Sequence, residues 1–217
     1  MRRRAVAVAA VFAYAGVIAI FSALTLLIDG NPVPGIILIA SLGILDLATV
    51  GSQLLRKVDA APIEQGSEPR LENLAAGLVE KMGLKPPRLF VYEDARPNGF
   101  AARKPGPVVG VSRGALRELN RTELEALVAH CLVRTHSPSL RLARLACQAR
   151  IFARALRPLV GPPQDVRAAA VTRYPPGLGG ALKKCRPATG RYGPLYFVAD
   201  HPSHAPVPDR IAALSDL

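Results

Sequence analysis

The sequence has no tryptophan, only three cysteines and few aromatic residues, which make up 5% of its 217 residues. The cysteines (Cys131, Cys147 and Cys185) are widely spaced and odd in number, so they predict reduced thiols rather than a disulfide framework. Acidic residues are also scarce, at 16 against 28 lysines and arginines, which gives a formal net charge of +12. This composition excludes a disulfide-stabilised scaffold, a collagen-like fibre and an acidic disordered chain.

Long apolar runs are present, by contrast, and both lie at the start of the chain. Residues 5–28 contain no charged side chain, and residues 33–55 contain only Asp46. At a rise of 1.5 Å per residue, helices of this length span roughly 35 Å, more than the hydrocarbon core of about 30 Å. The sequence therefore predicts a transmembrane helical hairpin over residues 1–57.

Basic residues flank this predicted hairpin on both sides. Three arginines (residues 2–4) precede the first run, Arg56 and Lys57 follow the second, and the turn between the runs has no base. The positive-inside rule then places both ends in the cytoplasm, so we expect a multi-pass protein of the inner (plasma) membrane. A carboxylate within the membrane, such as Asp46, is either functional or protonated inside the helix pair.

The rest of the chain alternates short helical and strand patterns. Residues 58–69 are a polar linker, and residues 70–217 are predicted to form one α+β domain, mainly helical, with a small β-meander. The first elements are a helix over 70–82 and a strand over 88–92. The later elements are strands at 99–102 and 108–111 and helices near 113–119, 121–134, 140–160, 165–172, 178–184 and 206–217.

Positive charge is concentrated in one part of this domain. Residues 96–160 hold twelve bases against three acids, and no acidic residue lies between Glu125 and Asp165. Beside a membrane anchor this charge favours anionic lipid headgroups, while an arginine-rich genome explains it equally well. Nucleic acid is not expected, because the region has no aromatic stacking platform and no known motif. The candidate lipid-facing residues are Arg141, Arg144, Arg150, Arg154 and Arg157.

Several segments, taken in order along the chain, resemble one protein family. They are residues 88–92 (RLFVY), 97–101 (PNGFA), 109–116 (VGVSRGAL), 119–130 (LNRTELEALVAH), 172–178 (TRYPPGL) and the tail from His201-Pro202 to Leu214. Together they resemble the HtpX-like membrane-anchored zinc metallopeptidases. The resemblance implies a two-helix anchor, a cytoplasmic zincin-like domain and a bacterial source.

The resemblance also implies a zinc site, from which this chain departs. Members of the family bind zinc through H-E-x-x-H on one helix, whose glutamate is the general base, and through a later glutamate. Residues 130–134 read HCLVR, which keeps His130 but puts Cys131 at the base position and Arg134 at the second ligand position. Alignment on the TRYP segment places the third ligand position at Gly161. A guanidinium cannot coordinate Zn²⁺ and repels it, so we expect neither bound zinc nor a catalytic residue.

Two rebuilt sites stay open at this point. His130 and Cys131 point about 100° apart on a helix, so a thiol site needs a further partner. A zinc site made from His130, His136 and Cys147 needs a break of the helix near Pro138. The chain would then be a zinc-dependent membrane endopeptidase.

The sequence favours a pseudopeptidase that binds or regulates a partner at the cytoplasmic membrane face. That partner is expected to be a protein or peptide, such as a membrane protease, paired with a strand edge beside the former cleft. The candidate groove residues are Asn98, Gly99, Phe100 and Ala101. The alternatives are the rebuilt zinc endopeptidase and a basic scaffold protein that binds anionic lipid. His201 and His204, in a proline-rich tail, are expected to be exposed.

Overall fold

The structure is a computed structural model that describes residue 20 and residues 22–28, 30–104, 106–148 and 162–215. Within these ranges the helices and a four-stranded sheet share one hydrophobic core. The fold is therefore mixed helix and sheet with a small sheet. The elements are α1 (Val33–Lys57), β1 (Ala61–Pro62), α2 (Pro69–Met82), β2 (Arg88–Tyr92), β3 (Gly99–Lys104), β4 (Gly106–Ser112), α3 (Arg113–Glu118), α4 (Arg121–Thr135), α5 (Pro138–Gln148), α6 (Pro162–Thr172), α7 (Pro175–Lys184), a 3₁₀ turn (Gly193–Leu195) and α8 (Val207–Ser215).

The sequence predicted a β-meander, and this prediction is wrong. The strand order of the sheet is β1-β2-β4-β3, with β2 and β4 parallel and the β3–β4 pair antiparallel. The connection after β2 crosses the end of β4, where the Ser112 hydroxyl accepts from the Asn98 amide at 3.0 Å and donates to the Arg96 carbonyl at 2.9 Å. This crossing puts β3 on the far edge of the sheet. The two-residue β1 lies inside the predicted linker and pairs with β2.

Helix α4 lies at the centre of the fold and begins at a strong local signal. The Asn120 side chain accepts from the Glu123 amide at 2.9 Å, and the Glu123 carboxylate accepts from the Asn120 amide at 2.8 Å. This reciprocal pair satisfies two amides that the first turn of a helix leaves free. Twelve of the fifteen residues of α4 are buried, so the helix is covered on nearly all sides.

The prediction of a transmembrane hairpin over residues 1–57 is wrong. In the described part of the chain, no helix has both the length and the apolar character needed to cross a membrane. The second predicted span is helical within α1, but its C-terminal half packs on the domain, where Val50, Leu54 and Leu55 are buried. Hydropathy alone could not distinguish this packing from contact with lipid. Most of the first predicted span, and the side chain of Asp46, lie outside the described residues.

Helix α1 approaches β3 most closely at Gly51. A side chain there would collide with the carbonyl oxygen of Arg103, whereas Gly77 in α2 has no atom within 4 Å of such a side chain. We expect Gly51→Ala to lower the free energy of unfolding by about 1–3 kcal/mol through overpacking. The matched control, Gly77→Ala, should raise it by roughly 0.5–1 kcal/mol through helix propensity. Urea unfolding of both variants measures the difference, and a gain in both would mean that α1 does not pack on β3.

Candidate functional site

His130 lies on the buried side of α4 and contacts a carboxylate on α6. Its Nδ1 atom is 3.0 Å from Oδ1 of Asp165, without the alignment of a regular hydrogen bond. Its ring packs edge-on against the ring of Phe197 at 4.9 Å between centroids. Burial lowers the pKa of His130 to about 4, although Asp165 acts in the opposite direction. The imidazole is therefore neutral at pH 7.

Asp165 and Arg210 form a buried ion pair between α6 and α8. The Nε and Nη2 atoms of Arg210 donate to the two carboxylate oxygens of Asp165, each at 2.7 Å. The third nitrogen, Nη1, donates to the Phe197 carbonyl at 2.7 Å. Burial raises the pKa of the Asp165 carboxyl, but Arg210 and then His130 outweigh it and hold that pKa well below its ordinary value. The carboxylate is thus charged and fully committed to this pair.

Arg134 lies one helical turn after His130 and is 1% exposed. Its Nη1 atom donates to the carbonyls of Tyr196 at 2.8 Å and Leu195 at 3.3 Å, and Nη2 donates to the Pro194 carbonyl. Burial lowers the pKa of Arg134 to about 10, so the guanidinium stays protonated at pH 7. Its Nε atom has no hydrogen-bond partner among the described residues. A buried positive charge therefore occupies the second ligand position of the family motif.

The residues that are present do not fit a zinc ion. Residues four apart on α4 share a face, so a metal held by His130 would lie next to the Arg134 guanidinium. The described ranges contain no group of three or more histidine, cysteine, aspartate or glutamate side chains that could hold a metal. The third family position, Gly161, lies outside those ranges. The side chain of His130 contacts the Asp165 carboxylate, whose two oxygens already accept hydrogen bonds from Arg210.

The thiol and rebuilt-metal alternatives find little support in the geometry. Cys131 is 1% exposed, and burial raises its pKa to about 12, so it is a protonated thiol at pH 7 and no general base. His136 is exposed at the end of α4, with its Nδ1 atom 2.9 Å from the Thr135 hydroxyl. Cys147 is buried in α5. These side chains do not converge with His130 into a metal site in the described part of the chain.

The predicted groove residues are buried under the protein's own chain. The side-chain nitrogen of Asn98 donates to the carbonyls of Arg186 at 2.7 Å and Val198 at 2.8 Å, and its side-chain oxygen accepts from the backbone amide of Gly99 at 2.8 Å. Beyond it, residues 194–198, which we call the edge segment, run along the outer side of β3. The Phe197 amide donates to the Gly99 carbonyl at 2.7 Å, and Phe100 and Tyr196 form an antiparallel bridge.

Further along β3, α1 approaches its outer side at the Arg103 carbonyl. Phe100 and Ala101 are 0% exposed. Peptide binding at Asn98–Ala101 stays a prediction, and it now requires the edge segment to move away.

The proline-rich tail is folded against the site, so the prediction that its histidines are exposed is wrong. His204 is 7% and His201 6% exposed. The Nε2 atom of His204 lies 3.0 Å from the Tyr196 carbonyl, and Nδ1 of His201 lies 3.0 Å from the Ser203 hydroxyl. Arg210 was not predicted as a site residue, although it lies in the tail segment that resembles the family.

The predicted lipid-facing arginines are only partly described. Arg141 is exposed and Arg144 is half-buried, while Arg150, Arg154 and Arg157 lie outside the described residues. Burial, and then the neighbouring charges of Arg103 and Arg141, lower the pKa of Arg144. Arg103 and Arg141 therefore lie near enough to Arg144 to act on its charge.

Comparison with known proteins supports the sequence resemblance. A protein named Protease HtpX homolog from Dictyoglomus turgidum is 38% identical over 80 residues, 36% of this chain and 26% of that protein. Its namesake from Listeria monocytogenes is 28% identical over 137 residues, 60% of this chain and 45% of that protein. The matched region thus spans less than half of either relative. No protein-family model matches the chain.

The fold has a counterpart among solved structures. The crystal structure of S. mikatae Ste24p superposes with a TM-score of 0.51 and 14% sequence identity, covering 97% of this chain and 64% of that one. At this identity the likeness concerns the fold alone. The sequence relatives confirm the resemblance to the HtpX-like family, and the solved structure supports the fold.

Proposed function

We propose that this chain, a relative of the HtpX-type zinc metallopeptidases, works without zinc and without peptide-bond hydrolysis, as a binding or regulatory protein. The observation that carries this proposal is the buried guanidinium of Arg134, bonded to three backbone carbonyls. A second cation beside it would meet a repulsion of several kcal/mol, roughly 4 kcal/mol per unit charge at 4 Å in an effective dielectric of 20. Without a metal there is no activated water, and Cys131 offers no general base in its place.

The proposed role is interaction with a protein or peptide partner at a membrane, with a membrane protease as one such partner. Exposed apolar side chains in the described part of residues 20–37 support membrane association, since patches of this kind mark interaction surfaces. They are Ile20, Leu24, Leu26, Leu27, Ile28, Val33, Ile36 and Ile37.

A second candidate function is a basic scaffold that binds anionic lipid. The cluster of Arg103, Arg141 and Arg144 supports it, because the like charges already lower the pKa of Arg144 after burial. An anionic headgroup would relieve that repulsion.

The proposal predicts that the purified full chain contains no stoichiometric zinc and does not cleave an unfolded protein such as casein. Metal content measured by mass spectrometry should be the same in wild type and His130→Ala. A triple variant (Cys131→Glu, Arg134→His and Gly161→Glu) supplies the missing base and ligands, and it should retain more zinc than wild type after dialysis.

One zinc per wild-type chain, lost in His130→Ala, would overturn the proposal and support the rebuilt zinc endopeptidase. Casein cleavage abolished by a chelator would do the same. The triple variant is the positive control for both assays, because it has the ligand types that the family motif requires.

A further inference from the structure

We infer that Arg134 takes over the organising task of a metal ion, by holding the edge segment (residues 194–198) on β3 so that the peptide edge stays closed. The inference rests on the proposed zinc-free function, since it assigns the positive charge of the site to the guanidinium. It concerns a positioning residue, because Arg134 acts through the segment that it holds.

The backbone carbonyls of the edge segment are all hydrogen-bonded to side chains. Its five successive carbonyls all accept hydrogen bonds from buried side chains on other elements. Arg134 binds the carbonyls of residues 194, 195 and 196, Arg210 binds that of Phe197, and Asn98 binds that of Val198. An irregular segment inside a protein needs such partners, because an unpaired buried carbonyl is costly. Three side chains therefore supply most of the hydrogen bonds to these carbonyls, and the Ala188 amide adds one to the carbonyl of Val198 at 3.0 Å.

Arg134 differs from the other two side chains in its charge balance. The charge of Arg210 is already neutralised by Asp165, with two bonds of 2.7 Å. Asn98 is neutral, and it also anchors the Arg186 carbonyl. Arg134 forms no direct ion pair within the described ranges, so the carbonyls of the edge segment are its hydrogen-bonded partners, and Asp165 acts on its charge only at longer range. Segment and guanidinium thus depend on each other, as a metal and its ligands do.

The segment held in this way lies where an extended peptide would pair. The bond from the Phe197 amide to the Gly99 carbonyl, at 2.7 Å, uses the strand edge that substrates or partners would need. With Arg134 in place, the edge is filled by the chain itself. Removing the guanidinium should release the segment and expose Gly99 and Phe100.

Hydrogen–deuterium exchange of the full chain tests this inference. In Arg134→Met, the amides of residues 195–198 should exchange about tenfold to a hundredfold faster than in wild type, because charge-assisted bonds are lost. Arg134→Lys keeps the charge without the planar fork and should give a smaller increase. The control is Leu78→Ala, a buried position on a different element, α2. It should leave unchanged the ratio of the amide exchange rates in the edge segment to those in β2.

Two readings would overturn the inference. One is unchanged exchange of residues 195–198 in Arg134→Met, and the other is an increase shared equally by β2 and β4, as expected from global destabilisation. If Arg134→Met does not fold, Arg134→Lys decides by the same ratio. Wild type treated with a chelator separates the two proposals. Faster exchange of the segment there would refute the zinc-free function, whereas slow exchange in every variant would refute only the role of Arg134.

Discussion

Asp165→Ala is expected to lower the free energy of unfolding by about 3–5 kcal/mol, because it leaves a buried guanidinium without its carboxylate. Arg210 is 2% exposed and forms two bonds of 2.7 Å with Asp165, so water cannot replace the lost partner without opening the site. The effect should exceed that of removing any surface carboxylate. Urea unfolding followed by circular dichroism measures it.

Two further variants show whether the loss comes from the unpaired charge. Glu64→Ala removes an exposed carboxylate and should change the free energy of unfolding by no more than about 0.5 kcal/mol. Asp165→Leu combined with Arg210→Met removes both charges and should be less destabilised than Asp165→Ala, because no buried ion remains. If Asp165→Ala unfolds as readily as Glu64→Ala, the ion pair does not form in solution.

Lowering the pH from about 7 to about 4 should destabilise the protein by roughly 3 kcal/mol through His130 alone. The folded-state pKa of His130 is lowered from 6.5 to about 4 by burial, against the opposing effect of Asp165 on α6 and with smaller contributions from Arg210 on α8 and Arg134 on α4. The unfolded chain therefore binds the proton first as the pH falls below 6.5. This stability is present at neutral pH and is lost towards pH 4.

His204 adds to the same acid destabilisation. Burial, followed by the charges of Arg134 and Arg210, holds its pKa well below its ordinary value. Asp165, whose pKa is also lowered, loses its contribution as the pH falls below the ordinary aspartate pKa of about 4 towards its lower folded-state pKa. The interval between pH 6.5 and pH 4 therefore reports on the buried histidines.

The variant His130→Gln should flatten the dependence of the unfolding free energy on pH, because it removes the buried imidazole whose pKa is lowered. A wild-type stability that is constant from neutral pH down to pH 5 would show that the two imidazoles are solvated, against the burial described above.

The local elements were predictable because their signals lie close together in the sequence. The capping pair of Asn120 and Glu123 marks the start of α4. Apolar spacing predicts the start of α2 within one residue of the observed position. The positions of the family motif could also be identified from the sequence. His130, Cys131 and Arg134 occupy the motif positions on one helix, so the departure from the H-E-x-x-H pattern follows from residue identity alone.

Hydropathy was a poor guide where burial depended on a neighbour. The apolar run of residues 33–55 predicted lipid contact, yet Val50 and Leu54 pack on the protein's own sheet. In the tail, proline-rich sequence predicted exposure for His204, which instead contacts the Tyr196 carbonyl. In both segments the residue type indicates whether a side chain favours an apolar or a polar environment. Which atoms provide that environment is decided by tertiary packing.

The sequence by itself determined that Arg134 stands at the second ligand position of the HtpX-like motif, where a guanidinium cannot coordinate a metal. Only the tertiary structure decided what the guanidinium does instead. Its acceptors on Pro194 and Tyr196 lie 60 and 62 residues further along the chain, and Asp165 finds Arg210 at a separation of 45 residues. Buried charges must find partners wherever folding brings them, so their roles depend on contacts between distant segments, which no local pattern records.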